Sequence, residues 1–168
     1  VQVTPSNPLN DETLVCSASV TDPEGDPVTT SYQWQDANGA VLGSGTSLDL
    51  TQTSVLPTDI VTCVVTSTDT SNAMGTGQAN VTIANRSPVL TQVSIAPTPS
   101  YNDSTLTCSA VATDLDGQTL STSYVWQDGS GALVGSIDTL DLTTLSGVQP
   151  ASTWTCIVTT NDGVTVVS

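Results

Sequence analysis

Asp22, Glu24 and Asp26 alternate through the turn Asp22-Pro23-Glu24-Gly25-Asp26-Pro27, and Asp114 and Asp116 stand at the matching place 92 residues on. Alternate carboxylates around a glycine turn are the side chains a hard cation needs, since calcium takes about six to eight oxygen ligands. Asp69 and Asp162 are expected at the same end of their domains, on the turn before the last strand, and Asp59 at the far end of the first domain. Calcium shared between these acids would stiffen the junction of two domains. The competing reading is that Asp and Gly favour turns for their own backbone chemistry. Gln118 stands where Asp26 has its counterpart, which removes one ligand from the second set.

Other site chemistry is scarce. The chain has no histidine, which excludes Ser–His–Asp and Cys–His arrangements. Paired carboxylates can hydrolyse glycosides, but here the same turn acids recur in both halves, which points to folding rather than to two active sites. The expectation is a non-enzyme without a cofactor, calcium being the one candidate.

Four cysteines fall as two pairs, each with a tryptophan between them: Cys16, Trp34, Cys63 and Cys108, Trp126, Cys156. With no CxxC and no histidine, a zinc site has little to be built from. Four cysteines allow three connectivities. The chain repeats itself at an offset of 92 residues, with 26 of the first 51 positions identical, and the last cysteines correspond at an offset of 93. Only Cys16–Cys63 and Cys108–Cys156 make each copy self-contained. The repeat sets two domains, 1–86 and 87–168, with a boundary at Asn85-Arg86-Ser87-Pro88.

The elements that must carry these residues are strands. Threonine and valine are β-branched and favour pleated sheet. Leu14, Cys16, Ala18 and Val20 alternate with polar or small residues, the period of a half-buried strand. Tyr32 and Trp34 are expected inward on a strand of about Val28–Asp36, which an Asn38-Gly39 hairpin signal closes. Val41-Leu42, Leu48-Asp49-Leu50, a strand through Val61, Cys63 and Val65, and Gln78–Ile83 complete seven short strands with Val1–Thr4. The second copy repeats that order, so each domain reads as an all-β sandwich.

The Cys…Trp…Cys order, the repeated Thr-Asp-x-x-Gly element at Thr21–Gly25 and Thr113–Gly117, and the repeated Tyr-x-Trp-Gln-Asp stretch at Tyr32–Asp36 and Tyr124–Asp128 resemble tandem Ig-like or PKD-like repeats of large prokaryotic surface proteins. That resemblance implies two tandem immunoglobulin-like sandwiches, with Trp34 and Trp126 as core pins against the disulfides. One departure is visible. Val61 and Trp154 occupy the place two before the second cysteine, where antibody-type domains carry a corner tyrosine.

Sixteen acids against one cation, Arg86, give a net charge of −15, which repels nucleic acid and anionic membranes. Only 10% of residues are charged and 37% are hydrophobic, so this acidity is not that of a disordered tail. No apolar run approaches the length of a membrane span. Disulfides place the chain at the cell surface or outside the cell. Three sequons, at Asn80, Asn85 and Asn102, cluster around the junction and are candidates for N-glycosylation.

Val1 lacks a lead-in like Pro88–Gln92, and Ser168 aligns with about Gly75, leaving Thr76–Ala84 without a counterpart. Both ends look cut from a longer array; the sharper alternative is a last strand completed by a neighbouring chain. The leading functional expectation is a structural or adhesive spacer whose partners are neighbouring repeats, with self-association in reserve. The alternatives are a carbohydrate- or protein-binding module and a filament subunit assembling by strand complementation.

Overall fold

The computed structural model describes all 168 residues, Val1 to Ser168, and the chain divides into two compact units, Val1–Asn85 and Arg86–Ser168. Arg86, placed in the first domain on sequence, belongs with the second because its guanidinium is bound there by Asp116.

The first unit contains β1 (Gln2–Thr4), β2 (Thr13–Ser17), β3 (Val28–Gln35), β4 (Val41–Ser44), β5 (Ser47–Asp49), β6 (Ile60–Asp69) and β7 (Met74–Thr82). They form two antiparallel sheets, ordered β1-β2-β5 and β4-β3-β6-β7. The second unit contains β8 (Val89–Ala96), β9 (Thr105–Thr113), β10 (Ser121–Asp128), β11 (Leu133–Gly135), β12 (Thr139–Asp141), β13 (Trp154–Asn161) and β14 (Val166–Val167). Its sheets follow the same order, β8-β9-β12 and β11-β10-β13-β14. Each unit is a sandwich of a three-stranded and a four-stranded sheet.

A disulfide ties the two sheets of each unit. Cys16 on β2 reaches Cys63 on β6, and Cys108 on β9 reaches Cys156 on β13, each with Cα atoms 6.4 Å apart. Cross-links of this kind fit an oxidising compartment. No helix is long and apolar enough to cross a membrane.

The cores follow from the alternation of side chains along the strands. On β6 every second residue, Val61, Cys63, Val65 and Ser67, is buried. Trp34 is fully buried, with Leu14, Leu50, Val61 and Ile83 in the same cluster. Its indole N–H cannot be left unpaired in such a place, and it donates to the Gly45 carbonyl at 3.0 Å. Trp126, also fully buried, donates to the Ile137 carbonyl at 2.9 Å.

Two local expectations are corrected. β2 ends at Ser17, not Val20, because its pairing with β1 ends at Gln2 opposite Ser17. In the second unit β8 pairs from Val89 to Ala96, and β9 accordingly continues to Thr113. The Asn-Gly turn does close β3 onto β4, but only Gly39 has positive φ, at 82°. A two-residue type I′ turn needs two such residues. The loop instead spans Asp36 to Ala40, with a register shift at Trp34/Gln35.

Candidate functional site

The turn acids act mainly on their own backbone. Asp22 Oδ1 accepts the N–H groups of Glu24 at 2.9 Å and Asp26 at 3.0 Å. Asp69 Oδ1 accepts that of Ala73 at 2.8 Å, and Asp114 Oδ1 that of Asp116 at 2.8 Å. Asp162 accepts the Val164 N–H at 2.7 Å and the Thr165 hydroxyl at 2.9 Å. Asp59, expected at the far end, caps Leu56 N–H at 2.9 Å. Asp36 and Asp128 close the β3–β4 and β10–β11 loops in the same way. Asp49 and Asp141 cap the short 3-10 turns that follow β5 and β12. At Asp22, Asp49, Asp114, Asp141 and Asp162 the N–H lies two residues on, the Asx turn in which a short carboxylate replaces a carbonyl as backbone acceptor.

Asp116 is the exception. Its side chain is fully buried, and it receives both the backbone N–H and the Nε–H of Arg86, each at 2.6 Å. A buried carboxylate needs such a charged partner, and Arg86 is the only cation the chain possesses. Three more buried oxygens in this unit, Asp114 Oδ2, Gln118 Oε1 and Thr160 Oγ1, have no protein hydrogen-bond partner. They offer one carboxylate oxygen and two neutral ones, and the loop's second carboxylate is already bound to a guanidinium.

The calcium expectation does not fit this chemistry. Asp22, Glu24, Asp26 and Asp69, and likewise Asp114, Asp116 and Asp162, do not gather into any group of three acids that could hold a metal ion. Turn amides already hold an oxygen of Asp22, Asp69, Asp114 and Asp162, and Arg86 neutralises Asp116.

Of the sequons, Asn80 lies exposed on β7 and Asn102 is exposed in a turn, whereas Asn85 is half-buried. The aromatic residues separate by role. Trp34 and Trp126 are core, and Tyr32 and Tyr124 pack against them from half-buried positions. The remaining two, Tyr101 and Trp154, line one cavity of about 270 Å³ in the second unit, together with Leu142, Val148 and Pro150. Sequence reasoning set Trp154 in phase with Cys156 and left its exposure open; it is half-buried. The Arg86–Asp116 pair went unread. Its one sequence signal was a solitary cation among sixteen acids.

No protein-family model matches the chain, and no curated protein is detectably similar to it.

Proposed function

We propose that this chain is a non-catalytic structural module of a secreted or cell-surface protein, two immunoglobulin-like sandwiches serving as a spacer or fibre segment. The observation that carries this reading is the form of the two units. Each follows one strand order, and each closes its own disulfide between its own sheets. Such units are modular, because each can fold and bear tension without its neighbour. The acids support the same reading, since many of them cap turns and Asp116 pairs with Arg86, and no three of them gather into a metal-binding group. A net charge of −15 keeps neighbouring modules soluble and apart.

Force spectroscopy on the chain held between handles tests this. Two successive unfolding events are expected, each lengthened when the disulfides are reduced, because 47 and 48 residues of separation are then released. A chain that extends smoothly at low force, with no discrete events, overturns the spacer reading.

A second reading, a carbohydrate- or protein-binding module, draws on one observation. Tyr101, which neither core uses, and Trp154, which packs half-buried against the second core, share a single surface cavity. Saturable glycan binding that is abolished by Trp154→Ala would favour it.

A further inference from the structure

Arg86 is the only lysine or arginine among these 168 residues, so Arg86–Ser87 is the one peptide bond in them that a trypsin-like protease could select. Such enzymes choose a basic side chain with a carboxylate at the base of the specificity pocket. The bond lies where the chain passes from one compact unit to the other, between Asn85 and Arg86. Connections of that kind are where proteolytic nicking concentrates. Neither disulfide spans it, since Cys16–Cys63 and Cys108–Cys156 each close within one unit. One cut would therefore sever the two units.

The fold holds this bond shut. Asp116 already makes the contact that a protease pocket would offer. One of its oxygens receives the Nε–H of Arg86 and the other the backbone N–H, both at 2.6 Å, while Arg86 Nη2 donates to the Leu115 carbonyl at 3.4 Å. The neighbours are fastened as well. Ala84 N–H donates to the Pro8 carbonyl at 2.7 Å, Pro88 is buried, and β8 pairs from Val89, opposite Thr113. A protease takes its substrate as an extended segment with the basic side chain inserted in the pocket. Arg86 cannot present itself in that form while Asp116 holds both its guanidinium and its N–H. Ser87 is exposed, so the shield is the engagement of Arg86 rather than depth.

We propose that Asp116 is a latch over the chain's one site for arginine-specific serine proteases. Closed, it keeps the two units on one polypeptide; opened, it exposes Arg86–Ser87 to hydrolysis. In that step a water oxygen goes to the Arg86 carbonyl carbon, the C–N bond breaks, and the Ser87 nitrogen leaves with a proton. The opening is local. Residues 84–88 leave Pro8 and Asp116 while the sheets and disulfides stay closed, and the rate of cutting follows the population of that open form. Where such a protease is met rests on the secreted or cell-surface reading; the latch itself rests on the Arg86–Asp116 geometry.

The intact 168-residue chain is digested with trypsin without reductant, and fragments 1–86 and 87–168 are followed by mass spectrometry. A synthetic peptide of residues 80–92 gives the rate for the unlatched bond. The folded chain should be cut roughly a hundredfold or more slowly than the peptide, and Asp116→Asn about tenfold or more faster than the parent. Because Asp116→Asn also loosens the second unit as a whole, the urea dependence of cutting in the parent separates the two routes. Local opening exposes little surface, so the rate should rise with urea far less steeply than global unfolding of the second unit does. Four results overturn the proposal: an uncut peptide, a folded chain cut as fast as the peptide, Asp116→Asn cut no faster than the parent, or a urea slope equal to that of global unfolding. None of them bears on the force-extension events, so the latch and the spacer reading fail separately.

Discussion

Arg86 spans Asp116 with two hydrogen bonds, its backbone N–H on one carboxylate oxygen and its Nε–H on the other, both at 2.6 Å. The contact pins the first residue of the second unit to the loop between β9 and β10. In doing so it neutralises a carboxylate that is wholly out of water. Removing one partner of a buried pair costs about 3–5 kcal/mol, because the other charge is stranded. Arg86 keeps 25% of its side chain exposed, so Arg86→Ala is expected near the lower end, about 3 kcal/mol. Chemical denaturation of the second unit measures it. The double variant Arg86→Met/Asp116→Leu should regain part of the loss, since neither charge of this pair is then stranded, although the residue 86 N–H loses its acceptor. Arg86→Lys should not, because it lacks the Nε–H that meets Asp116.

Trp34→Ala and Trp126→Ala are each expected to destabilise their own unit by about 3–5 kcal/mol. The two losses should differ. The first core closes around Trp34 with Val81 and Ile83, while beside Trp126 both Trp154 and Cys156 are half-buried. A looser surround collapses or hydrates more easily, and the cost of a cavity depends on that relaxation. Trp126→Ala should therefore cost less than Trp34→Ala, and an unfolding series on both variants would show it. Equal stability of either variant and the parent would contradict the packing described for that tryptophan.

Much of this was legible from residue order. The alternation through Val61, Cys63 and Val65 is local, so it announces a half-buried strand without knowledge of what covers it. The pairing of cysteines follows from the repeat, and the burial of Trp34 follows from its phase between them. The roles of the acids were not legible. Glu24 and Asp116 hold the same place in the repeated Thr-Asp-x-x-Gly element, yet the first is exposed and the second is buried under Arg86 from 30 positions away. That difference is set by which chain segment passes over the loop, and no local pattern carries it. The end of β2 was misread for a related reason, since alternation continues to Val20 while the pairing partner does not.

Asp128 provides an acid-sensitive reporter of the β10–β11 loop. Its carboxyl is held below the ordinary 3.8, first by the Ser130 hydroxyl and then by the amides of Ala132 and Ser130. The hydroxyl lies at 2.7 Å, and the amides at 3.0 and 2.9 Å. A group depressed in the folded state contributes stability that is fully present above its unfolded value and is lost as pH falls through the folded one. The advantage of the parent over Asp128→Asn should therefore be constant at neutral pH and shrink below 3.8. Ser130→Ala removes the largest cause, so the Asp128 titration followed by carboxyl NMR should move upward. An unchanged midpoint would show that the hydroxyl is not what holds it.

Calcium should act on this protein as a screening ion and no more. Sixteen acids against one cation leave the folded chain repelling itself, so any salt is expected to raise the melting temperature by weakening that repulsion. A bound ion would add a further rise that saturates with its own affinity. The carboxylates at Asp22, Asp69, Asp114 and Asp162 already accept turn N–H groups, and Asp116 already holds a guanidinium. Calcium chloride and sodium chloride at matched ionic strength should then give the same melting temperature within a small difference due to valence. The comparison is most sensitive at low ionic strength, where the repulsion is least screened. A saturating excess for calcium that disappears in Asp114→Asn or Asp22→Asn would instead establish a site at these turns.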